Sequence, residues 1–150
     1  MENKRNGDKE VSHKIIVTWD DEKKAFLCSF GKKMIEIAAS QESKKHEGMW
    51  TPEELFIASI KGFLKDAFVD YTKRNNFEFL SYESKAEGVM ETVEGKVAFS
   101  EIKLRPTITV SSNGQIEKAK ELIRLAEKDC FISNFITAKI TVCPEIRVRL

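Results

Sequence analysis

Three cysteines, Cys28, Cys130 and Cys143, are the residues best suited to covalent or redox chemistry. Their odd number and irregular spacing fit neither a disulfide framework nor a zinc pattern. Cys130 is the best reactive candidate. It follows Ala126-Glu127-Lys128-Asp129 at the end of a helical stretch and precedes Phe131-Ile132-Ser133-Asn134. Two readings stay open. If Cys130 starts a following helical piece, the positive end of that helix lowers the thiol's pKa and raises its thiolate fraction. Against this, Asp129 brings a negative charge next to the sulfur. Cys130 also continues the apolar spacing 119, 123, 126, 130, which suits a small buried hydrophobe. Local features favour the second reading. Cys28 alternates with Phe26 and Phe30 and reads as core packing, while Cys143 falls on the polar face of the last strand. Neither has a local activating group.

Glu53 is the second candidate. It can orient a catalytic group, or it is a first-turn carboxylate favoured by the helix dipole. Met49 and Trp50 stand at the entrance of the same helix, with His46 nearby. Trp50 precedes the N-cap, where an apolar residue often packs back as a staple; the alternative is a pocket-lining role for Met49 and Trp50. Lys23 and Lys24 read as solvating a turn. With only His13 and His46 available, no transition-metal site is expected, and no cofactor.

The elements that must position these groups follow from periodicity. The segment Lys14–Trp19 is β-branched and extended. The stretch Phe26–Phe30 alternates with Phe26, Cys28 and Phe30 on one side, and Met34–Ala38 follows a turn at Gly31-Lys32, which makes an antiparallel meander. Residues 40–50 form the longest loop. Thr51, Pro52 and Glu54 mark a helix start with a capping box, and the helix runs to about Lys73. Its apolar positions 55, 56, 57, 58, 60, 63, 64, 67, 68 and 71 exceed one surface stripe, with Lys61 and Lys65 on a narrow solvated side. The chain's own sheet plus another subunit is the expected cover. Two long strands, 78–89 and 96–110, turn at Glu94-Gly95. Pro106 lacks a ladder donor and is expected at an edge or bulge. A second helix starts near Gln115, a short helical piece over Ile132–Ala138 follows, and a last strand alternates from Ile140 to Leu150.

The chain has 150 residues, 41% hydrophobic and 33% charged, which suits one domain over 1–150 with residues 1–11 frayed. A net charge of +1 with short basic runs argues against nucleic acid. No stretch approaches ~18 apolar residues, so no membrane span is expected. The N-terminus Met1-Glu2-Asn3-Lys4-Arg5 lacks a following apolar core, so it reads as no secretory signal and the protein as cytoplasmic.

Pro52-Glu53-Glu54-Leu55-Phe56-Ile57-Ala58-Ser59 resembles the P-E-E-L-L-L-A-A stretch of the OsmC/Ohr family of thiol-dependent hydroperoxide reductases. Ala126-Glu127-Lys128-Asp129-Cys130-Phe131-Ile132-Ser133 resembles its A-x-K-x-C-P-V-S stretch. The order of elements also matches. The resemblance implies an α+β, OsmC-like fold of order βββ-α-ββ-αα-β, with a long central apolar helix on antiparallel sheets, in an intertwined homodimer. It implies a first-helix cysteine that attacks an organic hydroperoxide, becomes a sulfenic acid, condenses with a second cysteine and is reduced by an external dithiol. Carried over, Glu53 matches the helix-start glutamate and Cys130 the second cysteine. Phe63 stands in the first cysteine's place, Phe131 in that of the usual proline, and Lys23-Lys24 near the usual arginine.

Three functions remain. In the first, the protein lacks the two-cysteine reaction and binds an apolar small molecule or a partner in an interface pocket lined by Phe63, Trp50 and Met49. In the second, it is a one-cysteine peroxidase in which Cys130 attacks an organic hydroperoxide. In the third, the dimer has a structural or interaction role.

Overall fold

The computed structural model describes residues 11–19, 24–38, 48–130 and 134–150. The chain divides into two compact units, residues 1–52 and 53–150.

In the first unit, β1 (Ile16–Trp19), β2 (Lys24–Cys28) and β3 (Ile35–Ala38) form the expected antiparallel meander. Ala25 and Ile37 are cross-strand partners and both are buried. Trp50 extends this unit: the Ala38 N–H donates to its carbonyl at 2.8 Å. Phe30 does not join Phe26 and Cys28 on a strand face. Strand β2 stops at Cys28, the Lys32 N–H closes a turn on the Ser29 carbonyl at 3.2 Å, and Phe30 is fully exposed. The turn expected at Lys23, residues 1–10 of the segment 1–11 expected to fray, and most of the loop expected over 40–50 lie outside the described residues.

The second unit holds α1 (Pro52–Arg74), β4 (Ser81–Val93), β5 (Lys96–Val110), α2 (Ile116–Asp129), β6 (Lys139–Val142) and β7 (Glu145–Val148). Helix α1 starts at Pro52 and ends in a Schellman motif. Asn76 takes φ 49°, the Phe77 N–H reaches the Thr72 carbonyl at 2.9 Å, and the Asn76 N–H reaches that of Lys73 at 3.3 Å. Helix α2 is entered through a 3-10 turn at Asn113–Gln115. Gln115 ties that entrance down: its Oε1 accepts from the Ser111 and Ser112 N–H groups, and its Nε2 donates to the Glu78 carbonyl at 3.2 Å.

Strands β4 and β5 pair through a two-residue turn at Glu94-Gly95, both with positive φ, as a type I′ turn requires. Ser100 is the extra residue of a bulge opposite Val89 and Met90. The sheet is not wholly antiparallel, as the resemblance implied. Strands β6 and β7 both run parallel to β5, because the α2 crossover carries the chain back to the end where β5 began. Pro106 is not at an edge: it is buried in the central strand. Leu104 and Val110 accept from the β6/β7 side, so the missing donor of Pro106 points the same way. There the partner strand breaks between Val142 and Glu145, and the common register of β6 and β7 sets Pro144 opposite Pro106. Both residues unable to donate therefore meet in the one gap of the ladder.

The core of this unit lies between one sheet face and the two helices. Ile60, Leu64 and Phe68 of α1 meet Ile102, Leu104, Ile108 and Val110 of β5 and Ala119, Leu122, Ile123 and Ala126 of α2. Lys65 is on the exposed side of α1, whereas Lys61 is half-buried. Gly88 marks the tightest contact. A Cβ there would fall 2.6 Å from Phe99 Cε1 and 2.7 Å from Ile57 Cδ1, and the Phe99 ring is itself stacked on Phe56 at 5.3 Å. Gly88→Ala is expected to lower stability by about 1–3 kcal/mol through overpacking, read as a shift in urea midpoint at unchanged m-value. A change below the error of that midpoint would mean the Phe56–Phe99 stack yields freely.

Candidate functional site

Cys130 is the residue on which the site is built. It closes the C-terminal end of α2 with extended backbone (φ −66°, ψ 111°), and only 8% of it is exposed. The stripe Ala119, Ile123, Ala126 and Cys130 is buried throughout, as its spacing requires. The alternative start of a following helix is not seen: residues 134–138 form no α-helix, and 131–133 lie outside the described residues. The sulfur thus sits at the C-terminal end of α2, next in sequence to Asp129. None of the three cysteines is joined in a disulfide; Cys28 is half-buried on β2, and Cys143 is exposed just past β6.

Two cavities meet at Cys130. The first, about 210 Å³, is lined by Ile60 and Leu64 of α1, Leu104 of β5, Ile140 and Val142 of β6, and Ile136 and Ala138 before it. Among the described residues, Glu127 and Cys130 complete its lining, so one thiol and one carboxyl are set against apolar side chains. Partial burial pushes the Glu127 carboxyl above its usual range, with Arg124 opposing the shift. The second cavity, about 280 Å³, is lined by Phe63, Asp66, Ala67, Asp70, Tyr71 and Arg74 of α1 and by Asp129 and Cys130. Its α1 wall is one helical stripe. The Tyr71 hydroxyl donates to Asp129 Oδ2, and the Arg74 guanidinium lies over the Tyr71 ring, 5.6 Å from its centroid.

Of the residues expected from sequence, Phe63 and Cys130 thus share a cavity. Glu53 lies half-buried in the first turn of α1, Met49 is half-buried and Trp50 exposed, and none of the three lines either cavity. Arg74 and Glu127 were not singled out from sequence. Arg74 had a signal: it lies three helical turns past Phe63, on the same face. Glu127 had none, since an exposed helix carboxylate is ordinary. Among the described residues no group of three or more His, Cys, Asp and Glu side chains could hold a metal ion.

Tyr82, on the helix-facing side of β4, packs its ring against Phe68 at 5.6 Å. Burial pushes its phenol up to about 12; Ser84 lowers it in part, and charge on Cys130 raises it. Among the described residues neither the Tyr82 nor the Ser84 hydroxyl has a partner in hydrogen-bonding geometry. The folded chain holds this proton more tightly than the unfolded one. The associated stability is complete below pH 10.0 and is lost as pH rises through about 12. Tyr82→Phe is expected to be neutral or stabilising at pH 7, because it removes an unpaired buried hydroxyl. It should also flatten the alkaline fall in urea midpoint relative to wild type. An identical alkaline limb in both proteins would show that Tyr82 titrates normally.

A family model described as OsmC-like protein matches residues 44–145. No curated protein is significantly similar in sequence. Among solved structures, an OsmC-like protein of unknown function from Vibrio cholerae superposes with a TM-score of 0.77 at 21% identity, covering 90% of this chain and 99% of that one. An organic hydroperoxide resistance protein from Elizabethkingia anophelis gives a TM-score of 0.68 at 20% identity, covering 94% and 100%. The organic hydroperoxide resistance protein OhrB of Bacillus subtilis gives 0.65 at 19% identity, covering 91% and 98%.

Proposed function

This chain belongs to the OsmC-like protein family, and from that premise we propose that it binds an apolar small molecule beside Cys130 and does not run the two-cysteine hydroperoxide cycle. The observation that carries the reading is the cavity of about 210 Å³ whose described lining residues are apolar except for Cys130 and Glu127. An apolar cavity of about 150 Å³ suffices for a benzene ring in a protein interior, so a single substituted ring or a short branched hydrocarbon is the ligand class. Phe63, at the position the resemblance gives to the attacking cysteine, has no ionisable atom. The protein is taken to act as a homodimer; the half-buried Leu55, Phe56, Ile57 and Phe63 on α1 support this, since they extend its apolar face beyond the buried stripe. A cytoplasmic location fits the absence, among the described residues, of any helix long and apolar enough to cross a membrane.

The test is titration of cumyl alcohol into protein with labelled isoleucine and leucine methyl groups. Saturable shifts are expected at Ile60, Leu64, Leu104 and Ile140, and Ala138→Trp, which fills the cavity, should abolish them. No shift at millimolar ligand would end the proposal.

A second reading has one observation behind it: Arg74 shares the other cavity with Cys130, so a guanidinium is near the thiol after all. In that reading Cys130 alone reduces an organic hydroperoxide. Consumption of cumene hydroperoxide with dithiothreitol that vanishes in Cys130→Ser and falls in Arg74→Gln would select it over the first.

A further inference from the structure

The two cavities that meet at Cys130 differ in chemistry, and the polar one has no part in the binding of an apolar ligand. Its wall carries three carboxylates, Asp66, Asp70 and Asp129, against one guanidinium, Arg74. That guanidinium lies over the Tyr71 ring, whose hydroxyl is already given to Asp129. Asp66 has an exposed neighbour in Lys65, 2.9 Å away, which screens it only in part. Among the described lining residues negative charges therefore exceed positive ones by two, and the half-buried Phe63 ring is part of the lining. A recess with one sign of charge concentrates ions of the other sign, and an aromatic face favours an ammonium group.

We infer that this polar cavity admits a small disulfide carrying amine groups, which forms a mixed disulfide with the Cys130 sulfur. The charge on the reagent matters because it draws the reagent into the recess. The step is thiol–disulfide exchange. The Cys130 thiol gives its proton to solvent, its sulfur attacks one sulfur of the reagent, the reagent's S–S bond breaks, and the departing thiolate takes up a proton. One Cys130–S–S–R bond and one free aminothiol result, with the reagent as oxidant. A thiol in excess reverses the step. The inference does not depend on an occupant in the apolar cavity.

The experiment uses the full chain in a Cys28→Ser/Cys143→Ser background, so that intact mass reports Cys130 alone. Rates are measured with cystamine (two amines), 2-hydroxyethyl disulfide (neutral) and 3,3′-dithiodipropionate (two carboxylates). Each rate is normalised to that of a small free thiol with the same reagent. The expected order is cystamine, then neutral, then anionic, with cystamine at least about tenfold above the neutral reagent at low salt. The cystamine preference should shrink in Asp66→Asn/Asp70→Asn, two exposed positions that leave the fold intact, and in high salt, where exposed charges are screened. Equal normalised rates, an anionic preference, or a cystamine preference untouched by the asparagine pair would each overturn it.

Discussion

Phe68→Ala is expected to lower the unfolding free energy by about 3–5 kcal/mol, the range for truncating a wholly buried phenylalanine. Phe68 is 0% exposed at the centre of the second unit. Its ring meets Phe79 at 5.2 Å and Tyr82 at 5.6 Å, and it continues the buried spacing Ile60, Leu64, Phe68, Thr72 along α1. Truncation removes the ring's own transfer free energy and both aromatic contacts. It also leaves a void between a helix and a sheet, which cannot close without shifting one of them. A domain of this size is stable by about 5–15 kcal/mol in total, so the loss consumes a large share of it. Urea denaturation measures it directly. Phe68→Leu, which keeps most of the volume, should lose clearly less. A loss below about 1 kcal/mol for Phe68→Ala would mean that the helix–sheet interface repacks, and that the core is centred elsewhere.

Phe63→Cys is expected to raise the rate of cumene hydroperoxide reduction with dithiothreitol at least about tenfold over wild type, a change of ~1.4 kcal/mol in barrier. The reason is chemical before it is structural. A phenyl ring has no nucleophilic atom, whereas a thiol at the same place shares a cavity with Cys130 and Arg74. Replacing the ring also enlarges the space through which a peroxide approaches. The gain should depend on Cys130, since the resolving step needs a second sulfur. Mass spectrometry after one equivalent of peroxide should show the loss of two hydrogens, the mark of an internal disulfide. If the variant folds, is oxidised only to a sulfenic or sulfinic acid and never forms that disulfide, the two positions are too far apart to bridge; Cα atoms must lie within roughly 7 Å. If it shows no peroxide reaction at all, Arg74 does not serve the thiolate.

Much of the fold was legible because it rests on local rules. Alternation marked the meander, Glu94-Gly95 marked the turn of the long hairpin, and the helix pattern ended within a residue or so of the observed end of α1 at Arg74. The α2 stripe was read down to Cys130 because 3.6-residue periodicity is a property of consecutive residues alone. The misreadings share a cause. Pro106 looked like an edge residue because a missing donor is local, whereas the gap that tolerates it comes from Pro144 on a strand reached only through α2. Phe30 looked like part of a face because alternation does not say where a strand stops; the Ser29–Lys32 turn decided that.

By itself, the sequence determined the element types up to the end of α2, the apolar stripes and the candidacy of Cys130, since each depends on residue kind and on spacing along one helix or strand; the helical piece expected over 132–138 and the unbroken last strand did not follow. Tertiary structure alone decided what surrounds the sulfur: an apolar cavity walled by α1, β5 and β6 on one side, and a carboxylate-rich recess on the other. The physical reason is that a cavity belongs to no segment. It is the space left where helices and a sheet fail to meet, and its chemistry is set by side chains that only packing brings within a few ångströms of each other.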